Sequence, residues 1–437
     1  MRLRPLVAPL ALASCLILPA AAKVIGTNVP AEAVTAARIA QLPAAERAAW
    51  MSYLQRSDAQ RQADKAALAA ERQGLTAIPA PPPEHGHDAS MPLDRDAAWY
   101  GGPEARAVAD NIVSFQTPAG GWGKNADRAG PPRVKGQAYV PNNISAFLAK
   151  NDFDTPKEMA WNYVGTFDNN ATTTELFFLA RVIKALPENQ DGPYRAAFVK
   201  GLHYLLASQY PNGGWPQVWP LEGGYHDAIT YNDDAVTLAA TVMTDVARNQ
   251  DAEYSFVPDE LRTAAAQSAQ RALTIILKTQ VETAAGELTI WGQQHDALTL
   301  QPCSARNFEP PLLASDESAS LLVYLMSLPN PSPELQQAIH GGIAFLKKTA
   351  VTGFVMTGKN DPQGRHLEAK PGAGPLWPRF IDPETAKGVF GERDKTLHDD
   401  MNDLSLERRN GYNFYVTSPA KALKAYERWS KTHPVAP

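Results

Sequence analysis

Between Trp99 and His433, apolar residues recur three and four positions apart in one stretch after another, and strand-like alternation is scarce. That period builds helices with one apolar face, and such faces must be buried against each other. The pattern predicts helices over Pro103–Phe115, Thr172–Leu186, Pro193–Ser208, Ala235–Arg248, Pro258–Thr283, Glu317–Met326, Pro333–Lys348 and Pro419–Thr432. Several open with proline near the first turn, where its fixed φ suits a helix start. The loops between them are long and rich in Gly, Pro, Trp, Asp and Arg. Loops of that length inside a compact domain are more often functional than idle.

One unit echoes. "FQTPAGGWGKN" at 115–125 and "SQYPNGGWPQ" at 208–217 each end a helix with Gln, Pro, Gly-Gly and Trp. The glycines permit a sharp turn after the helix. Trp122 and Trp215 either cover the helix end or offer a platform on which a sugar stacks. The echo predicts an all-α fold of helical hairpins set around a common axis, although two copies do not establish a regular repeat.

The start of the chain reads differently. Arg2 and Arg4, the apolar run Leu6–Leu18 and Ala20-Ala21-Ala22 have the form of a secretory signal over 1–22. The run is too short to span a membrane. "LASC" ending at Cys15 resembles a lipoprotein cleavage box and ranks second, because apolar residues continue beyond it. Cleavage after Ala22 leaves Cys303 as the one thiol, so no intrachain disulfide is expected. An exported, soluble monomer is the expectation, periplasmic or secreted. Residues 23–76 read as an appended helical unit or stalk, 77–94 as a proline-rich linker and 95–437 as the main domain. His85 and His87 in the linker read as solvated residues rather than metal ligands.

The 437 residues are 44% hydrophobic and 20% charged, with net charge −5. That balance gives no reason to expect nucleic acid as a partner. An acidic substrate would need a local cluster of Lys and Arg. Walker, Gly-x-Ser-x-Gly, His-Glu-x-x-His and Cys-x-x-Cys motifs are missing. Two acidic turns stand out instead. Asp168-Asn169-Asn170 and Asn232-Asp233-Asp234 each follow an aromatic residue and precede an apolar helix. Such residues cap helices, and Thr172 with Glu175 has capping-box spacing. Clustered carboxylate and amide oxygens on rigid turns also suit a hard cation such as calcium. Arg306, Arg379 and Arg393 lie in Pro/Gly-rich loops without helical period, where a planar guanidinium either grips a carboxylate ligand or makes a structural salt bridge. For Arg393 the nearby partners are Glu392 and Asp394.

These stretches, in order, closely resemble family ten polysaccharide lyases, the pectate lyases. The blocks are "WYGGPEARAVADNIVSFQTPAGGWGKN", "TFDNNATTTELFFLARV", "SQYPNGGWPQVWP", "ITYNDDA", "WGQQHDALTLQPCSARNFEPPLL", "RFIDPETAKGVFGERD" and "RRNGYNFY", spanning Trp99 to about Trp429. The resemblance implies an (α/α) toroid with a groove across one end, and calcium-assisted β-elimination of polygalacturonate giving 4,5-unsaturated oligogalacturonides. It implies that Asp168, Asn169 and Asp233 contribute to the calcium and substrate site, and that Arg393 is the proton-abstracting base, with Arg379 as the other candidate. Lys124 and Arg306 then grip galacturonate carboxylates. "RFID" and "FGERDK" depart from the family's corresponding blocks, and the glutamate beside Arg393 is placed to pair with it. An arginine base, with a pKa above about 12, points to a high pH optimum. The other readings are a glycoside hydrolase with Asp168 and Asp233 as acid and base, and a non-catalytic polyuronate-binding protein.

Overall fold

A computed structural model describes residues 23–84 and 86–435, without the side chain of His87. The signal expected over 1–22, the cysteine box at Cys15, and His85 lie outside the described residues. The fold is mainly helical, and its strands are two to four residues long. The long helices are α1 (Ala44–Arg72), α2 (Pro103–Ser114), α3 (Thr173–Ala185), α4 (Gly192–Ser208), α5 (Ala235–Arg248), α6 (Asp259–Thr279), α7 (Ser315–Ser327), α8 (Pro333–Lys348) and α9 (Pro419–Trp429). Each helix expected between Trp99 and His433 has its counterpart within a few residues. Among the described residues no helix is long and apolar enough to cross a membrane.

The helices form two layers. In one, α3, α5, α7 and α9 pack each against the next. In the other, α2 packs on α4 and α4 on α6, and the layers join as hairpins such as α5–α6 and α7–α8. Phe178, Leu179, Ala240, Met243, Leu321 and Leu322 fill the space around the first layer and are fully buried.

One part of the echoed unit, the bond from its indole to a helix end, occurs four times among the described residues. The indole N–H groups of Trp122, Trp215, Trp291 and Trp377 donate to Ile112, Leu205, Ile276 and Leu346 carbonyls at 2.6–2.8 Å. Those carbonyls lie near the ends of α2, α4, α6 and α8, where helical partners run out. Three glutamines repeat as well. Gln116, Gln209 and Gln280 each donate to a carbonyl of the following loop and to one of a neighbouring helix. All four tryptophans have no exposed surface. Trp122 and Trp215 therefore bind helix ends and present no face to a sugar, which corrects the platform reading.

The N-terminal region is also different from expectation. Helix α1 is one unbroken 29-residue helix, because no Gly or Pro interrupts its alanine-rich sequence. Its buried residues Trp50, Tyr53, Ser57, Asp64 and Leu68 share one face. Trp50 and Tyr53 pack on Tyr210 with ring centroids 5.0 and 4.9 Å apart, and the Tyr53 hydroxyl donates to the Ser208 carbonyl at 2.7 Å. These side chains belong to the main core, so this region is part of the domain rather than a stalk. Strand β1 (Val24–Thr27) pairs antiparallel with β3 (Thr396–His398), which pairs with β2 (Phe390–Gly391). The proline-rich stretch is held too, by a bridge from Glu84 to Ala126 and a bond from Gln137 to the Ala80 carbonyl.

Candidate active site

The two acidic turns meet. Each is a short 3₁₀ turn leading into a helix of the first layer, Asp168–Asn170 before α3 and Asn232–Asp234 before α5. Both take the same backbone path: Asn169 has φ 50°, ψ 42° and Asp233 has φ 49°, ψ 34°. Asn170 and Asp234 also have positive φ. Asn and Asp tolerate this left-handed region better than other side chains, which is why the sequence repeats them here. The capping box expected at Thr172 and Glu175 does not form. The Thr172 hydroxyl instead donates to the Thr166 carbonyl and accepts from Trp122 N, while Glu175 is fully buried in an ion pair with Arg128.

The Asp168 and Asp233 carboxylates are joined through one amide nitrogen: Asn232 Nδ2 lies 3.3 Å from Asp168 Oδ1 and 2.9 Å from Asp233 Oδ2. The Asn169 amide N–H donates to Asp233 Oδ2 at 3.2 Å. Lys124 Nζ lies 2.5 Å from Asp168 Oδ2, and Gln217 donates to Asp168 Oδ1. Burial alone would raise the Asp168 carboxyl, but the Lys124 ammonium overrides it and holds the group well below its usual range. Asp233 moves the other way, raised by burial and by the negative charge of Asp168. Two adjoining carboxylates in this setting require a proton or a cation between them.

The guanidinium groups stand across the same space. A cavity of about 320 Å³ has Lys124, Asp168, Asp233, Arg306 and Arg393 in its wall. It adjoins a second of about 580 Å³, through Asn125, Asn169 and Asp233, that has Arg379 in its wall. Each arginine has a carboxylate partner. Arg306 pairs through two bonds with Glu309, Arg379 with Glu317, and Arg393 with Glu407 at 2.7 and 3.0 Å. Burial draws the Arg306 and Arg379 guanidinium groups down, but the charges of Glu309 and Glu317 more than reverse this, so both are held cationic. Glu309 and Glu317 are buried, whereas the Glu407 side chain is 38% exposed. The Glu392 carboxylate does not touch the Arg393 guanidinium; it accepts from the backbone N–H groups of Arg393 and Ser405.

Sequence reasoning missed several members of the site. Arg408, almost fully buried, lies 3.9 Å over the Phe308 ring, which Arg306 and Arg393 also approach. Gln217 and Asn232 hold Asp168, and Tyr412 donates to Glu309. The signal for Arg408 and Tyr412 lay in "RRNGYNFY", where charged and aromatic residues crowd the end of the short helix Leu406–Gly411 and the chain after it. Among the described residues no three acidic, His or Cys side chains gather into a metal cage. The oxygens available are two carboxylates and neighbouring amides, and Gln217 Oε1 and Gln294 Oε1 are buried there without a hydrogen-bond partner. Hard oxygen donors of this kind fit calcium.

Comparisons with known proteins agree with this geometry. Residues 116–423 match the family model described as pectic acid lyase. A solved structure of a family 10 polysaccharide lyase from Cellvibrio cellulosa aligns with TM-score 0.63 and 30% identity, covering 78% of this chain and 97% of that one. A point mutant of a family 10 lyase from the same organism, in complex with trigalacturonic acid, aligns with TM-score 0.63 and 29% identity over 78% and 98% of the two chains. No curated protein matches. With the family model spanning well over half its length, the chain belongs to the pectic acid lyase family and is a polysaccharide lyase.

Proposed function

We propose that this enzyme cleaves polygalacturonate by calcium-assisted β-elimination, releasing 4,5-unsaturated oligogalacturonides. The observation that carries the reading is that Asn232 joins the Asp168 and Asp233 carboxylates in a cavity that also has Lys124, Arg306 and Arg393 in its wall. The trigalacturonic acid bound to the related lyase supports the substrate class. The two-layer helical hairpins support an (α/α) toroid, with the loops between layers forming its groove.

Asp168 and Asp233, with the neighbouring Asn169, would hold the calcium ion. Bound there, calcium would spread the charge that builds on the galacturonate carboxylate as the C5 proton leaves. Lys124 and Arg306 orient the sugar carboxylates. Arg393 is the preferred base, because its partner Glu407 is the most exposed of the three arginine counter-ions and releases it most readily. Arg379, locked to buried Glu317 and near Asp316, is better suited to holding charge in place.

The hydrolase reading fares worse. Paired glycosidase carboxyls stand roughly 5–5.5 Å or 6.5–9.5 Å apart, leaving room for a sugar carbon or a water. Asp168 and Asp233 instead share the Asn232 amide, Asp168 is also tied up by Lys124 and Gln217, and the family matched is one of lyases. The test is polygalacturonate with and without calcium, following near-ultraviolet absorbance, repeated for Arg393→Ala and Arg379→Ala. Saturated reducing ends without absorbance would favour hydrolysis, and binding without turnover a non-catalytic role. We also infer an exported monomer. Processing after Ala22 would place the new ammonium of Lys23 where its nitrogen already lies 3.1 Å from Asp403 Oδ2.

A further inference from the structure

We propose that residues 24–34 form a strap that sets the Arg306 turn and the Arg393 loop at a fixed separation, with Asn28 as the positioning residue. The segment lies outside the 116–423 family match. Asn28 is 3% exposed. Its side-chain amide approaches the Arg306, Asn307 and Glu309 carbonyls at 3.1–3.2 Å. Its backbone N–H donates to the Lys395 carbonyl at 2.7 Å, two residues beyond Arg393. One residue thus grips both arginine loops.

The neighbours tighten the same joint. β1 pairs with β3 immediately before Asn28, and the Ser304 hydroxyl donates to the Val29 carbonyl. The strap's far end is fixed by Val34 N–H on Asp227 at 2.9 Å. Asn307, inside the gripped turn, donates to the Arg393 carbonyl at 2.8 Å. The loops pass so closely that a Cβ at Gly391 would lie 2.4 Å from the Phe308 carbonyl oxygen. Backbone bonds to Asn28 thus set where both guanidinium groups enter the cavity. This rests on the lyase reading only in that both groups act on one substrate.

The test is a double-mutant cycle in the full chain: wild type, Asn28→Ala, Arg306→Lys and the double variant. Lyase rate and trigalacturonate binding by calorimetry are measured for all four. Asn28→Ala is expected to lower kcat/KM about ten- to hundredfold in the wild-type background. It is expected to cost less than about threefold on top of Arg306→Lys, because its effect runs through that guanidinium. Equal losses in both backgrounds, or no loss in the first, would overturn the strap. Should Asn28→Ala not fold, Ser304→Ala, which removes only the hydroxyl's bond to Val29, goes through the same cycle and must show the same coupling. A wild type that neither cleaves nor binds overturns the lyase reading and the strap's role together. An active wild type with an uncoupled Asn28 overturns the strap alone.

Discussion

Arg379 and Arg393 carry the same charge into neighbouring cavities, yet their removal should have opposite signatures. Glu317 is 4% exposed, so Arg379→Ala leaves a buried carboxylate without its cation. The expected loss is roughly 3–5 kcal/mol of stability, read by denaturant unfolding. Arg393→Ala leaves Glu407, which is 38% exposed and keeps Arg408 at 3.5 Å as a second cation. It should leave stability within about 1 kcal/mol while abolishing most lyase activity. Glu222 offers a pH test. Burial raises its carboxyl to about 8, even though the Tyr163 N–H donates to it. In the unfolded chain it ionises near 4.5. The folded state therefore favours the neutral acid, and that advantage, complete below 4.5, is lost as pH climbs through about 8. Glu222→Gln should match wild type at pH 4 and be more stable at pH 9, on the order of a few kcal/mol; equal melting temperatures at pH 9 would refute the shift. Asp168 and Asp233 were legible in the sequence because a left-handed turn asks for Asn and Asp locally. The partners Glu317 and Glu407 were not, since each is brought to its arginine by the fold.

Helices were legible for a simple reason: an apolar face repeats along the chain, and each boundary had a local cue. The repeat that organises them was half hidden. Gly-Gly precedes Trp122 and Trp215, but "GELTI" precedes Trp291, so the third copy has a different turn and the same indole bond. What is kept is an indole that bonds a helix-end carbonyl, and in three copies a glutamine that ties the loop to the next helix. Gln280→Leu should leave the Thr289 and Ala338 carbonyls without that donor. A loss of about 1–3 kcal/mol in chemical unfolding is expected; no change would show that the repeated glutamines are incidental. The capping box failed as a prediction because Thr172 and Glu175 had stronger tertiary partners than each other.

For the molecule as a whole, residues 23–72 were the least legible part. Helix α1 has few large apolar residues, and nothing local says that Trp50 and Tyr53 meet Tyr210 across more than 150 positions of chain. A chain beginning at residue 75 should express poorly or melt well below the full chain, because its core loses those rings; an equally stable truncation would return this region to the status of an appendage. In the lyase reading, two carboxylates joined by Asn232, in a cavity that arginines also line, serve a calcium-assisted elimination. It is tested most directly by following near-ultraviolet absorbance on polygalacturonate, first with calcium, then with chelator, then with calcium restored. A rise, its loss and its return are expected, fastest at alkaline pH. A signal indifferent to chelator, or cleavage yielding only saturated ends, would contradict it.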